Sequence, residues 1–121
     1  TATLALNGFP GSKTTVADWV KTGKTVTVTF RFGSINATSN GVVSISGFPF
    51  VSAPAHAYYS WYMNLNTTSA KGLVAYGARL TSTSLWLYVR TNTTVVPVQM
   101  NIGETFGVGG EIAATITYQT T

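Results

Sequence analysis

The chain has 121 residues, of which 45% are hydrophobic and 8% charged, with no cysteine and one histidine. This length suits one domain with a core large enough to fold without disulfides, and the composition excludes disorder, zinc-finger, iron–sulfur and disulfide-framework classes. Seven Lys and Arg against three acids give a net charge of +4, but the cations are scattered and form no dense basic stripe, so no nucleic-acid partner is expected.

Alternation of apolar and polar residues, which is typical of a half-buried β-strand, dominates the first third of the chain. Leu4 and Leu6 alternate in the opening stretch. Residues 16–20 predict a strand, residues 21–24 a tight turn, and residues 24–33 the clearest strand of the sequence. The apolar residues of that strand share the face expected to enter the core: Val26, Val28, Phe30 and Phe32.

The same pattern continues through the middle of the chain. Residues 41–46 predict a short strand, and residues 56–65 a longer one. Residues 73–80 and 83–90 predict a hairpin closed around residues 81–83, because both arms alternate and the gap is short. The core face of the strand over 56–65 is expected to carry Ala57, Tyr59, Trp61, Met63 and Leu65. The second hairpin arm is expected to point Leu85, Leu87 and Val89 inward, and Ser84, Trp86, Tyr88 and Arg90 outward.

Two further strands complete the pattern. Residues 95–98 predict an edge strand, because Pro97 cannot donate to a ladder, and residues 111–118 predict the last strand, with its apolar residues on one face. About eight short strands between Gly, Pro and Asn residues, with almost no helix, predict a single all-β domain over residues 1–121. The expected architecture is an antiparallel β-sandwich or jelly roll. The 21 Thr and 10 Ser residues fit the solvent face of such strands.

The side chains that could act as acid or base near neutral pH are Asp18, His56, Glu104 and Glu111. Hydrolysis usually needs two carboxylates, or a nucleophile with a base and an orienting acid, within hydrogen-bond reach. Glu104 and Glu111 flank a glycine-rich turn and are expected to be solvated. A metal site needs several histidines or a carboxylate cluster. The sequence therefore predicts no enzyme, no metal site and no cofactor.

No apolar run in the sequence approaches the length of a membrane span, so membrane insertion is not expected. The chain opens at Thr1, without Met or a charged and apolar leader. We therefore expect it to be a piece of a longer protein.

Aromatic residues on the polar faces of two predicted strands are the remaining functional candidates. Aromatic rings edged by hydrogen-bonding side chains can hold a glycan without an ion pair, because the rings stack on the apolar faces of sugars. The alternatives are that these rings are buried between copies of the chain, or that they form a second layer of core. The candidate ligand-binding residues are His56, Tyr58, Tyr62, Trp86, Tyr88 and Arg90.

Three segments are familiar when taken together. Residues 18–30, DWVKTGKTVTVTF, resemble a segment with the pattern Y-x-K-x-G-x-x-V-x-V. Residues 43–50, VSISGFPF, resemble a segment with the pattern L-x-I-x-G-L-P-F. Residues 106–112, FGVGGEI, resemble a glycine-containing segment that precedes a short terminal strand. Trp19 stands where Tyr is common and Phe48 where Leu is usual. The chain, from about Val16 onward, is similar in these segments to C-terminal receptor-binding domains of bacteriophage tail fibre and tailspike proteins.

This resemblance implies a β-sandwich at the C-terminal end of a longer fibre protein, assembled as a homotrimer at the distal tail fibre of the virion, outside the cell. It implies adsorption to a host bacterial surface glycan, lipopolysaccharide or capsule, or else a structural role in trimerisation or capping. The expected partners are thus copies of the chain and host cell-surface polysaccharide. The family's binding residues lie outside these motifs, so no site residue is carried over. A carbohydrate-binding module of a larger enzyme is a third hypothesis.

Overall fold

The computed structural model describes residues 1–11, 13–53, 59–67, 72–93, 96–101 and 103–121. Within these ranges the chain has nine strands and no helix, which confirms the predicted all-β class. No helical segment of the described ranges has the length and apolar character needed to cross a membrane. The strands are β1 (Ala2–Asn7), β2 (Lys13–Thr22), β3 (Thr25–Ile35), β4 (Ser44–Ser46), β5 (Tyr62–Asn64), β6 (Val74–Thr81), β7 (Ser84–Arg90), β8 (Val98–Gln99) and β9 (Gly110–Gln119).

The strands form one antiparallel sheet that nearly closes into a barrel. Its order is β5-β9-β3-β2-β1-β4-β7-β6, and β8 pairs with β7 beside β4. The two ends of this order approach each other at one bridge, where Tyr59, in the segment before β5, and Ala78 of β6 exchange two backbone hydrogen bonds of 2.8 Å. Closure of this kind leaves few unpaired strand edges exposed to other chains.

The core is filled by the residues that the period-two pattern assigns to the inner face. The predictions for β3, β7 and β9 are confirmed, with Ala114 of β9 half-buried and the other inward residues buried. Each fully buried Val, Leu or Phe stabilises the fold by about 1.5–3 kcal/mol. The buried inward residues of these strands are Val26, Val28, Phe30, Phe32, Leu85, Leu87, Val89, Ile112, Ile116 and Tyr118.

The predicted strand over 56–65 is shorter in the structure. Residues 54–58 lie outside the described residues, and only Tyr62–Asn64 form the ladder of β5 with β9. The reason is a change of partner: Tyr59 pairs with Ala78 of β6, whereas Tyr62 pairs with Ala113 of β9. The segment therefore crosses from one end of the sheet to the other instead of running as one strand. Its predicted core face is confirmed for the described residues, because Trp61 is buried and the others are half-buried: Tyr59, Met63 and Leu65.

The turns are tighter than predicted. The turn between β2 and β3 consists of Gly23 and Lys24, with Gly23 at a φ of 61°. The turn between β6 and β7 consists of Ser82 and Thr83, with Ser82 at a φ of 57°. Two-residue loops with a positive φ match the twist of the flanking strands, so the ladders extend further toward each turn than the sequence pattern indicated.

Two short strands also differ from their predicted bounds. The strand predicted over 41–46 is confined to β4, because the backbone N–H of Val43 donates to the carbonyl of Met100 (2.8 Å) outside the ladder. The edge strand predicted over 95–98 begins at Val98, after Pro97. Residue 95 lies outside the described residues.

Candidate functional site

The outer face of β7 carries three of the predicted site residues together. Leu85, Leu87 and Val89 point into the core, and the residues between them point outward. Trp86 and Tyr88 are half-buried, and Arg90 is exposed. The period-two pattern thus places two rings and a guanidinium in line along one strand.

Trp86 lies in a row of four residues that crosses four neighbouring strands. Ser44 of β4 is directly opposite it on one side and Arg79 of β6 on the other. Asn7 of β1 is opposite Ser44, and its side-chain amide donates to the hydroxyl oxygens of Ser44 (3.4 Å) and Ser46 (3.1 Å). Directly opposite residues on one face are in side-chain contact range, so the indole lies between a hydroxyl and a guanidinium.

Tyr88 lies in the next row toward the end of β7. Gln99 of β8 is opposite it, and the Gln99 amide donates to the Tyr88 hydroxyl (3.4 Å). On the other side Tyr88 faces Gly77, where the register of β6 shifts between Ala75 and Gly77. Tyr76 is therefore the extra residue of a β-bulge, and bulges turn side chains to new directions.

The bulge adds a third ring to this face. Tyr76 is 49% exposed, and the Arg90 guanidinium carbon lies 5.8 Å from the centroid of its ring. This is the distance of a cation–π contact. The bulge thus brings Tyr76 next to Arg90, one of the ligand-binding candidates predicted from the sequence.

We define the β7 face as Ser44, Tyr76, Arg79, Trp86, Tyr88, Arg90 and Gln99. Sequence reasoning missed four of these residues. Arg79 and Ser44 occupy outward positions of predicted strands, so knowledge of the strand register would have found them. Tyr76 depends on a bulge and Gln99 on the pairing of β8, and no local pattern indicates either.

The β7 face is positively charged. Arg79 and Arg90 belong to it, and none of the strands β4, β6, β7 and β8 contains an acidic residue. The acidic residues lie elsewhere: Asp18 is on β2, Glu111 is on β9, and Glu104 is in the segment before β9. Such a face attracts anionic groups over neutral ones.

Tyr62 is not part of the β7 face. It lies on β5, which pairs with β9, and it is 52% exposed on that side of the sheet. His56 and Tyr58 lie outside the described residues. The structure therefore brings together Trp86, Tyr88 and Arg90 among the six candidates.

The prediction that both glutamates near the glycine-rich turn are solvated is wrong. Glu104 is 8% exposed, in a segment fastened by Ser39, whose hydroxyl accepts from the Glu104 N–H (2.8 Å) and donates to the Asn101 carbonyl (2.5 Å). Glu111 accepts from Nε of Arg31 (2.7 Å) and forms an ion pair with it. The backbone of Glu104 and the carboxylate of Glu111 are thus each held by contacts within the fold. Among the described residues, no group of three or more His, Cys, Asp and Glu could hold a metal ion.

Comparison with known proteins gave no relative. No protein-family model matches the chain, and neither curated proteins nor solved structures gave a match. Function must therefore be argued from the β7 face and the rest of the molecule.

Proposed function

We propose that this chain is a non-enzymatic glycan-binding domain of a bacteriophage tail fibre, which attaches the virion to lipopolysaccharide or capsule on the host surface. The observation that carries the proposal is the half-buried Trp86 on an outer sheet face, between Ser44 and Arg79. The tail-fibre part of the proposal is supported by the resemblance of residues 18–30 and 43–50 to that family.

The chemistry of sugars fits this face. The C–H groups of a pyranose ring are weakly positive and stack on the negative face of an aromatic ring. The ring hydroxyls are matched by the exposed Gln99 amide, which both donates and accepts. Ser44 is only 6% exposed and supports the face from within. Because Trp86 and Tyr88 are already half-buried, little side-chain entropy is lost when a ligand covers them.

The positive charge of the β7 face favours acidic glycans. Arg79 and Arg90 favour sugars that carry carboxylate or phosphate groups, and bacterial envelope polysaccharides supply both. An arginine offers a planar fork of N–H donors that matches these groups in two-point contacts.

The finer architecture belongs to the same proposal. We propose a jelly-roll β-sandwich that assembles as a homotrimer at the distal tip of the fibre. A symmetric assembly presents three copies of the β7 face, and linked weak sites give firm attachment. Exposed Val16 and Val20 on the outer face of β2 supply apolar surface for such contacts.

These valines also favour a second candidate function, in which the domain serves only to trimerise or cap the fibre. A carbohydrate-binding module of a larger enzyme is the third candidate, and a monomeric domain in light scattering would favour it. Turnover of an envelope polysaccharide by this chain would contradict the non-enzymatic proposal.

The experiment is a glycan array probed with the wild-type domain, Trp86→Ala and the control Val108→Ala, each checked by sedimentation. Val108 is exposed and lies outside the β7 face and the proposed subunit contacts. We expect Trp86→Ala to weaken binding at least roughly tenfold, the loss typical of a central aromatic contact, with an unchanged oligomer. Val108→Ala should bind like the wild type. Loss of the oligomer in Trp86→Ala would favour the structural role, and unchanged binding would contradict the proposed site.

A further inference from the structure

A shallow depression of about 590 Å³ lies on the outer face formed by β3, β9 and the segment leading into β5. We propose that it is a second ligand site, separate from the β7 face, and that it takes one neutral pyranose ring. Only the class of ligand, a sugar, rests on the proposed function. The site itself follows from the residues that line it.

The shape comes from one row across three strands. Arg31 of β3 and Tyr62 of β5 both lie opposite Ala113 of β9. Neighbouring strands are roughly 4.8 Å apart, so Arg31 and Tyr62 are separated by about twice that distance, with a methyl group between them. A saturated ring needs about 3.5–4 Å to the surface on each side. The row is thus a slot of the width of one sugar ring.

The Arg31 wall of this slot is held in place. Its Nε donates to Glu111 (2.7 Å), and its Nη2 lies 2.5 Å from the same carboxylate oxygen. Its guanidinium lies over Gly33, where a Cβ atom would clash with it. Because Gly33 has no side chain, the Arg31 guanidinium fits beside Glu111 and lies away from Thr29.

The site has no excess positive charge, which decides the class of ligand. The Glu111 carboxylate neutralises Arg31, and Asp18 of β2 lies opposite Thr29, so an anionic group is not favoured here as it is at the β7 face. The floor offers the Thr29 and Thr115 hydroxyls, which are 3.2 Å apart and hydrogen-bonded to each other. Each hydroxyl has one proton and two lone pairs, so the pair can still bond the hydroxyls of a neutral ligand. The half-exposed Tyr62 ring supplies the stacking surface.

The test is an NMR titration of the ¹⁵N-labelled domain with the methyl glycosides of glucose, galactose and mannose at millimolar concentrations, where single-ring binding is measurable. We expect at least one of them to shift the amide signals of Thr29, Arg31, Tyr62 and Ala113. Tyr62→Ala and Ala113→Leu should each weaken that binding roughly tenfold. Val108→Leu, which adds volume at an exposed position outside the slot, is the matched control and should have no effect.

Gly33→Ala tests the Arg31 wall. This variant should weaken glycoside binding severalfold. The rest of the NMR spectrum should be retained, because only the flexible Arg31 side chain has to move. Absence of shifts at the slot with all three glycosides, or equal affinity in Tyr62→Ala, would overturn the inference. A changed oligomeric state in Ala113→Leu would also overturn it, because the face would then be buried between copies.

The second site and the proposed function can be tested independently of each other. Trp86→Ala should leave the methyl glycoside titration unchanged, and Tyr62→Ala should leave acidic glycans bound at the β7 face. If the titration fails while array binding still depends on Trp86, the second site is wrong and the proposed function stands. If no glycan on the array is bound while the slot binds a methyl glycoside, the proposed function is wrong and the second site stands.

Discussion

Trp61 illustrates how a single side chain can organise this fold. It is 8% exposed, and its indole N–H donates to the carbonyls of Gly77 (2.9 Å) and Tyr88 (3.2 Å). These two residues are paired across β6 and β7 beside the bulge that projects Tyr76. Trp61 therefore fastens the segment before β5 to the strands that carry the β7 face.

Replacing Trp61 by Phe keeps a ring but removes the donor and part of the volume. We expect a loss of about 2 kcal/mol in the free energy of unfolding, from a lost hydrogen bond and incomplete packing. Denaturant unfolding measures it, with the exposed Tyr62→Phe as the control, expected within about 0.5 kcal/mol of wild type. A Trp61→Phe protein as stable as the control would contradict this role.

Tyr118 links stability to alkaline pH. Its hydroxyl donates to the Phe50 carbonyl (2.9 Å) and accepts from the Phe50 N–H (3.3 Å). Burial raises the pKa of Tyr118, the Phe50 hydrogen bond opposes this, and the charge of Tyr59 adds to it. Because the folded pKa is raised above the unfolded value near 10, this contribution to stability is complete below about pH 10 and is lost as the pH rises through the folded pKa.

Tyr118→Phe should therefore have two effects. At neutral pH it should cost about 1 kcal/mol through the lost hydrogen bonds, and above about pH 10 its stability should fall less steeply than that of the wild type. Burial also raises the pKa of Tyr59, so some alkaline loss should remain. Unfolding followed from pH 8 to pH 11 tests this, and equal slopes in the two proteins would show that Tyr118 is not responsible.

At the scale of elements, the strands that sequence predicted best are those buried on one face only. In β3 and β7 every second residue is apolar, so local alternation alone fixes the inward side. β5 could not be predicted because Tyr59 and Tyr62 pair with strands at opposite ends of the sheet. The β7 face was predicted only in part, because Trp86 follows from local alternation, whereas Arg79 requires the register of β6.

The glycine that follows β4 is required by a close approach of two strands. Gly47 has a φ of 99°, and a Cβ atom there would lie 2.5 Å from the carbonyl oxygen of Thr3 on β1. Gly47→Ala should therefore lower the free energy of unfolding by about 3 kcal/mol, from backbone strain and the clash.

Gly11→Ala is the matched control. Gly11 also has a positive φ, 78°, but a Cβ atom there would meet nothing within 4 Å. It should cost only about 1 kcal/mol, the strain of a left-handed residue. Equal losses in the two variants would show that the contact with Thr3 contributes nothing.

At the scale of the whole molecule, a net charge of +4 is distributed unevenly over the faces. The β7 face carries Arg79 and Arg90 on strands without acidic residues. Arg31, on β3, forms an ion pair with Glu111 of β9. The two candidate sites therefore differ in charge although both are built from aromatic rings. This difference makes salt dependence informative.

Arg90→Gln should weaken binding of an acidic glycan severalfold and reduce its sensitivity to salt, because one partly screened charge is removed. Binding of a neutral glycan to the same face should change little. Lys24→Gln, in the turn between β2 and β3, is the control and should alter neither. An equal loss for acidic and neutral glycans would mean that Arg90 acts through packing on Tyr76 instead of through charge.

The central claim is that the outer side of β7 is a surface for sugars. A crystal structure of the domain with the tightest ligand from the glycan array tests it most directly. We predict a pyranose ring stacked on the Trp86 indole, with Arg79 or Gln99 bonded to its polar groups. A ligand bound elsewhere, or a Trp86 ring covered by another copy of the chain in the assembly found in solution, would contradict it.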